Sequence, residues 1–261
     1  MRTFRDLIII FVLFGGIWFI ASKLTTTTEK IITISIEKEN KLTEFINKQI
    51  ITKFDTIAAP YADSCITDIK NRLTESIGKQ QCEIKISILK SPDINAFASF
   101  GGHVYVFTGL VDFTNNPEEL AAILAHEIAH IEKKHVVENL IKQLGIRSIF
   151  LIITGGDPVL LQELLRITIS SSMSKEMERE ADEMAVEIMK NSNINPNHLV
   201  SFFIRLKEKD VLPESLKWIT SHPMLDERIE NILIKTEKLK INEIKFDFDW
   251  NKLKNELRLG S

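Results

Sequence analysis

The sequence feature that most constrains the fold is the stretch of residues 117–130, which carries the pattern H-E-x-x-H. The stretch predicts a helix, because Asn116 can cap its first turn and Pro117 suits the first helical position. Glu118 and Glu119 lie in the first turn, where the helix dipole favours negative charge. The intervening side chains are mostly small or aliphatic, so we expect this helix to be buried.

The spacing within the pattern assigns a chemistry to this helix. His126 and His130 are one helical turn apart, so both imidazoles leave the same face and can bind one metal ion. Glu127 follows the first histidine and can take a proton from a water held there. The simpler interpretation is two hydrogen-bonded histidines and a surface glutamate. Three polar groups are costly to bury on an apolar helix without a metal, so the sequence favours zinc.

Two histidines are too few protein ligands for zinc, so a further one is required. A third histidine six residues after His130, the arrangement of another class of zinc peptidases, is excluded because residue 136 is Val. Glu138 follows closely after His130 and is kept as the second choice. The expected ligand is therefore a carboxylate further along the chain.

A predicted helix at residues 174–190 supplies several carboxylates. Glu178 and Asp182 are one turn apart on the apolar face of this helix, which is the face that packs on a core. Glu178 is therefore the best candidate for the ligand, and Asp182 can accept a hydrogen bond from a ligand histidine and fix its orientation. Three further acids fall on the solvated side, where ordinary surface charge is expected: Glu180, Glu183 and Glu187.

Four motifs, in order along residues 41–239, resemble one family. HEIAH, followed by Glu178 in SKEMEREAD 48 residues after His130, resembles the zinc peptidases that include the HtpX heat-shock protease and the type I CAAX prenyl protease. Lys175 stands where that family usually has Arg. NAFASFGGHVYVFTGLV and SHPMLDERI resemble two further motifs of the family. With one hydrophobic segment, at its start, the chain looks most like the exported bacterial branch of the BepA type.

The resemblance implies a mostly helical α+β fold of the gluzincin-like zincin type, with a small β-sheet whose edge strand lines the substrate cleft. It implies one zinc ion per chain, with Glu178 as the third ligand beside His126 and His130. Asp182 would be the hydrogen-bonding partner behind the ligands, and Glu127 the catalytic base. The predicted enzyme is a zinc metalloendopeptidase.

Three further assignments depend on the resemblance. His222 resembles a histidine near the metal that assists the reaction or covers the site, and Arg228 resembles a buried arginine that supports the same loop. The substrate edge strand would consist of Ala96, Phe97, Ala98, Ser99 and Phe100. The glycine pair after it, at residues 101–102, independently predicts a hairpin. His103 on the second strand is more simply explained as a structural histidine than as a ligand.

The amino terminus carries an unbroken apolar run, residues 7–21, after Arg2 and Arg5. It is short for a spanning helix, which needs about 20 residues. An uncleaved signal-anchor is preferred, and a cleaved signal peptide and a buried helix stay open; in the first two cases the arginines direct the remaining chain out of the cytoplasm. The expected organisation is a signal-anchor or signal peptide at 1–22, a spacer at 23–37, a peptidase domain at 38–241 and a tail at 242–261.

Composition narrows the function classes without identifying one. The chain of 261 residues is 44% hydrophobic and 26% charged, which is ordinary for a globular protein, and its net charge of −3 gives no sign of nucleic-acid binding.

Cys65 and Cys82 could form a disulfide or be two buried thiols. His135 is interpreted as a cation at a helix end. The apolar residues 146–154 predict core packing or a hydrophobic lip over a substrate groove, with a membrane-dipping hairpin as the minor alternative.

Together these features predict an endopeptidase of the bacterial cell envelope, anchored to the inner membrane or exported, that cleaves unfolded or misassembled proteins for quality control. Because an extended substrate would add to the edge strand through main-chain hydrogen bonds, we expect loose sequence preference. Two alternatives stay open: a chaperone-like or latched metal-binding protein with little turnover, and an enzyme that processes prenylated peptides.

Overall fold

The fold is known from a computed structural model that describes residues 36–154, 158–170, 172–208 and 217–260. The predicted signal-anchor at residues 1–22 lies outside the described residues, as does the spacer up to residue 35. Within the described ranges, no helix combines the length and the apolar character needed to cross a membrane.

The described chain is mostly helical with one small sheet, so the predicted α+β fold is confirmed. Its elements are, in order, α1 (Ile36–Lys53), α2 (Pro60–Glu75), β1 (Lys85–Leu89), β2 (Ala96–Ala98), β3 (His103–Phe107), α3 (Thr108–Phe113), α4 (Pro117–Glu132), α5 (His135–Thr154), α6 (Pro158–Ser170), α7 (Lys175–Asn191), α8 (Asn197–Glu208), α9 (Lys217–Ser221), α10 (Leu225–Thr236) and α11 (Trp250–Leu259).

The sheet has the strand order β1-β3-β2, with β1 parallel and β2 antiparallel to the central β3. A single 3-10 turn joins β2 to β3, and it contains Gly101 at φ +64° and Gly102 at φ +79°. A Cβ on Gly102 would lie 2.1 Å from the carbonyl oxygen of Glu83, so only glycine fits there. The glycines turn the chain early, and Ser99 and Phe100, predicted to continue the strand, lie beyond its end at Ala98.

The core of the described residues is built around α4, which is buried from Pro117 to Ile131 as its composition predicted. The first turn of α4 is capped by two reciprocal hydrogen bonds. The Asn116 Oδ1 accepts a hydrogen bond from the Glu119 N–H at 2.9 Å, and the Glu119 carboxylate accepts one from the Asn115 N–H at 2.7 Å. Arg205 on α8 pairs with the same carboxylate, so this buried acid is neutralised.

The helix packed most extensively against α4 is α7, and it presents the face that its periodicity predicted. Ser174 caps it by accepting a hydrogen bond from the Met177 N–H at 3.3 Å. Glu178 and Asp182 are buried, whereas Glu187 is exposed. Two carboxylates of α7 therefore face two histidines of α4 inside the core.

The apolar residues 146–154 continue α5 beyond a kink at Gly145, where φ is +71°. Ile149 and Ile152 are buried, which supports core packing, but the side chain of Leu151 is exposed. No disulfide joins Cys65 to Cys82.

The C-terminal tail ends in a helix, α11, that packs on α2 through the buried Leu253 and Leu257. The Glu256 carboxylate accepts hydrogen bonds from the Ala62 N–H at 2.8 Å and the Tyr61 N–H at 3.3 Å. Ala59, which precedes α2, makes no capping hydrogen bond through its side chain, so Glu256 performs that function from the far end of the chain. The predicted domain boundary at residue 241 stays a prediction.

Replacement of Glu256 by alanine removes the acceptor at the start of α2. We expect the Glu256→Ala variant to lose about 1–2 kcal/mol of unfolding free energy, since the loss of a capping acceptor has that effect in other helices. Urea unfolding of the full chain measures it. Glu230→Ala, at an exposed position of α10, is the matched control. Equal unfolding free energies for the two variants would contradict the capping function.

Candidate metal centre

Four buried side chains converge at one point between α4, α7 and the loop after α9. They are His126, His130, Glu178 and His222, and one nitrogen or oxygen atom from each lies within 4.8 Å of the others. The Nε2 atoms of the first two histidines are 3.0 Å apart, and Glu178 oxygens lie 3.5 Å from His126 Nε2 and 3.6 Å from His130 Nε2. Donors around a tetrahedral zinc ion are about 3.3–3.4 Å apart, so the set fits zinc in type and in spacing.

Glu127 lies beside this cluster without belonging to it. Its Oε2 accepts a hydrogen bond from the Ala98 N–H at 2.9 Å. Its Oε1 is buried, has no hydrogen-bond partner and lies 3.4 Å from Nε2 of His222. A buried carboxylate oxygen without a partner is costly, so this atom is available to a proton donor that enters the site.

Asp182 and Arg228 lie behind the cluster, although the resemblance assigned Asp182 to a ligand histidine and Arg228 to the loop of His222. The Asp182 Oδ1 is 3.0 Å from Nδ1 of His126. Arg228 donates to Asp182 from Nε and from Nη2, both at 2.7 Å, and its Nη1 lies 2.7 Å from Oε2 of Glu178. The bond from Arg228 Nη1 to the His222 carbonyl is longer, at 3.4 Å. The arginine therefore supports the carboxylates more than the loop.

These contacts set the protonation states of the cluster. Burial opposes ionisation of Glu178, but the neighbouring His222 and Arg228 outweigh it and hold the pKa of that carboxyl well below its ordinary value. Burial and the neighbouring His126 lower the pKa of His130 well below its usual range. Burial and Arg228 also lower the pKa of His126, but Asp182 and Glu178 raise it to about 9, so a metal that binds here displaces a proton.

His222 reaches the cluster from the loop after α9. Its Nδ1 lies 2.9 Å from Glu178 Oε1 and 3.3 Å from His126 Nε2. The Trp218 ring stacks on its imidazole at 4.6 Å, and the backbone N–H of Trp218 donates to the Ile94 carbonyl at 3.2 Å. This hydrogen bond holds α9 against the residues that precede β2. His222, in the loop that follows, adds a fourth donor to the cluster.

The outward edge of β2 faces the same site. On either side of the strand, the Asn95 C=O accepts a hydrogen bond from the Phe107 N–H of β3, and the Ser99 N–H donates one to the His103 C=O. Because neighbouring residues alternate in direction, the N–H and C=O groups of Ala96 and Ala98 point away from β3. The hydrogen bond from Ala98 to Glu127 lies on this side. The strand edge and the cluster are therefore adjacent.

Two other residues considered as metal ligands lie outside the cluster in the structure. His103 bonds to Asn47 at 2.8 Å and stacks on Tyr105, which supports the structural interpretation. Glu138, the second choice as ligand, pairs with Lys142 at 2.6 Å with both side chains more than half exposed.

The prediction for His135 is wrong. This histidine is not an exposed cation but is buried, with 2% of its surface exposed, and its Nδ1 lies 2.9 Å from Nδ1 of His130. Its Nε2 lies 3.4 Å from the Glu180 carboxylate, which helical periodicity assigns to ordinary surface charge. The cause is Lys134, whose φ of +61° ends one helix and turns the next back onto it. The signal present in the sequence was a histidine five residues after His130. That spacing does not place two side chains on the same face of one helix, so helical periodicity does not connect them.

Comparison with known proteins agrees with this geometry. The sequence profile of peptidase family M48 matches residues 62–235, a range that contains every residue of the cluster. The chain is 24% identical over 222 residues to the beta-barrel assembly-enhancing protease of Yersinia pestis, covering 80% of this chain and 46% of that protein. It is 23% identical over 206 residues to the mitochondrial metalloendopeptidase OMA1 of Schizosaccharomyces pombe, covering 76% and 61%.

A third relative is the metalloprotease LoiP of Escherichia coli strain K12, which is 26% identical over 174 residues, 64% of this chain and 68% of that protein. The chain spans about half the length of the first of these relatives. The family match covers more than half of the chain and agrees with the resemblance found in its motifs. The chain therefore belongs to peptidase family M48, and the enzyme class predicted from its sequence, a zinc metalloendopeptidase, is confirmed at the level of the family.

Proposed function

We propose that this chain is a zinc endopeptidase of the bacterial cell envelope, membrane-anchored or exported, that hydrolyses peptide bonds in unfolded or misassembled proteins. The observation that carries the proposal is the position of Glu127. One of its oxygens is held by the edge of β2, and the other lies unpartnered beside the donor cluster. A proton acceptor thus lies between a strand edge that can bind a peptide and a group of residues that can bind a metal.

His126, His130 and Glu178 are the proposed ligands, and their two imidazoles and one carboxylate are a donor set of catalytic zinc sites. Zinc bound there would supply Lewis-acid polarisation of a carbonyl group and a more acidic water. Asp182 orients the ring of His126 through Nδ1, so that Nε2 would be available to hold the metal. Arg228 keeps both carboxylates ionised in the buried site.

Glu127 is the proposed general base and general acid. Its Oε1 accepts a proton from the attacking water as the new C–O bond forms at the peptide carbonyl. The same oxygen then returns that proton to the amide nitrogen as the C–N bond breaks, which leaves a carboxylic acid and an amine. The Ala98 N–H holds the other oxygen at 2.9 Å, so the carboxylate does not need to reorient between the two transfers.

The outward backbone groups of Ala96 are the proposed docking points for substrate. An extended peptide that adds to β2 would run directly past Glu127, because the neighbouring residue on that edge, Ala98, bonds to it. Main-chain hydrogen bonds carry no side-chain information, which favours loose sequence preference and unfolded clients. The Yersinia relative is named a beta-barrel assembly-enhancing protease, which suggests misassembled envelope proteins as one client class.

A second candidate function, a latched protein with little turnover, is favoured by His222. Its Nδ1 completes a set of four donors, and a four-coordinate zinc site without an open position is typical of structural zinc. Burial of all four donors agrees with a covered site. We therefore propose that His222 covers the centre at rest and leaves it during turnover.

Removal of zinc should destabilise the full chain, because zinc binds the folded cluster and no preformed site exists in the unfolded chain. At free zinc about 1,000-fold above its dissociation constant, we expect about 4 kcal/mol of added stability. Thermal unfolding in detergent with zinc and with a chelator measures the difference. An unfolding midpoint that zinc does not raise would contradict the site, and Glu178→Gln should reduce the shift.

Replacement of Glu127 by glutamine should remove turnover and leave the metal bound. The amide keeps the shape and can still accept from Ala98, but it cannot take a proton from water. We expect cleavage of unfolded casein by the zinc-loaded full chain to fall by about 10²–10⁴-fold in Glu127→Gln. Metal analysis of both proteins is the control. Undiminished cleavage at equal zinc content would eliminate Glu127 as the base.

Replacement of His222 by alanine separates the two functions proposed for that residue. If His222 covers the centre at rest, we expect His222→Ala to cleave unfolded casein faster than the parent protein, because one coordination position becomes open. Zinc content is measured beside the initial rate. A slower rate at equal zinc content would show instead that His222 assists the reaction.

A further inference from the structure

We propose that His135 is a positioning residue that fixes the metal-binding tautomer of His130 and is itself oriented by Glu180. The inference rests on the proposed function, because it requires His130 to be a ligand. None of the motifs that indicated the family includes His135 or assigns it a role.

The two nitrogens of the His130 ring face different partners. Nε2 points into the donor cluster, 3.0 Å from His126 Nε2 and 3.6 Å from Glu178. Nδ1 points to the opposite side, 2.9 Å from Nδ1 of His135. His130 is fully buried and His135 is 2% exposed, so a partner for this nitrogen has to come from the protein.

The hydrogen-bond chain has one arrangement of protons compatible with a metal at Nε2. A neutral imidazole that binds a metal through Nε2 carries its proton on Nδ1 and donates it to an acceptor. The acceptor is then the unprotonated Nδ1 of His135, whose own proton is on Nε2. That nitrogen faces Glu180 Oε2 at 3.4 Å. The carboxylate therefore selects the tautomer of His135, which in turn selects that of His130.

The two ligand histidines have different partners for a reason of charge. His126 is oriented by a carboxylate, Asp182, at 3.0 Å. Together with Glu127 and Glu178, the buried centre then holds three carboxylates against Arg228 and the two charges of zinc, which balance. A fourth carboxylate directly behind His130 would leave one buried negative charge uncompensated, which is costly. A neutral imidazole avoids this, and Glu180 stays at the surface, where 38% of its side chain is exposed.

The backbone before His135 is in an unfavourable conformation. Lys134 has a φ of +61°, which a lysine rarely adopts, yet it has good hydrogen bonds: its N–H donates to Ile131 O at 2.9 Å and its C=O accepts from Glu138 N at 3.0 Å. Such a conformation persists where the surrounding structure requires it. Here it turns α5 so that its first residue lies against α4.

The experiment is zinc competition against a chelator of known affinity, with the full chain in detergent. His135→Phe keeps a ring of similar size and removes the acceptor, whereas the Oδ1 of His135→Asn replaces Nδ1. His198, whose Nε2 lies 2.6 Å from Glu243 outside the cluster, offers His198→Phe as the matched control. We expect zinc affinity to fall about 10–100-fold in His135→Phe, to stay within about fivefold of the parent in His135→Asn, and to be unchanged in His198→Phe.

Parent affinity in His135→Phe, or an equal loss in the phenylalanine and asparagine variants, would overturn the positioning role and indicate core packing alone. A parent chain that binds no zinc would overturn the proposed function, and this inference with it. If His135→Phe does not fold, nitrogen NMR of the histidine rings in the zinc-loaded parent decides instead. We expect His130 to be protonated on Nδ1 with a slowly exchanging proton, and coordination through Nδ1 would contradict the inference.

Discussion

The buried guanidinium of Arg228 is the interaction on which the rest of the centre depends. It pairs with both oxygens of Asp182 and with one oxygen of Glu178 at 2.7 Å, and it lies over the rings of Phe203 and Trp218. Two carboxylates one turn apart on a buried helix would otherwise repel each other and take up protons. Loss of one member of such a buried group typically costs about 3–5 kcal/mol, because the remaining charge is left uncompensated.

The fold brings the residues of the centre together from two helices, a loop and the edge of a strand. Helix α4 supplies three polar residues from one turn, α7 supplies the proposed ligand Glu178 and its partner from another, and the loop after α9 supplies His222, the proposed cover. The edge of β2 approaches within hydrogen-bond distance of Glu127, so the proposed peptide-binding edge and the proposed base are joined by one contact of 2.9 Å. In the proposed mechanism, substrate binding and chemistry therefore take place at adjacent groups, which is what positioning of a substrate requires.

Sequence reasoning succeeded where helical periodicity carries the information. Glu178 and Asp182 could be selected from a run of acids because i, i+4 spacing places them on the apolar face of one helix. It failed at His135 because that residue reaches His130 across a helix break, and the left-handed conformation of Lys134 follows from tertiary packing rather than from local preference. Glu180 was assigned to the bulk surface for the same reason, because its partner, His135, lies on another helix.

X-ray absorption at the zinc edge of the zinc-loaded full chain tests the central claim most directly, that one zinc is held by two histidines and one glutamate. The account predicts one zinc per chain with only nitrogen and oxygen ligands at about 2.0–2.2 Å, two or three of them imidazoles. It also predicts that this shell is lost or altered in Glu178→Ala. A shell that contains sulfur, or an identical shell in that variant, would contradict the account.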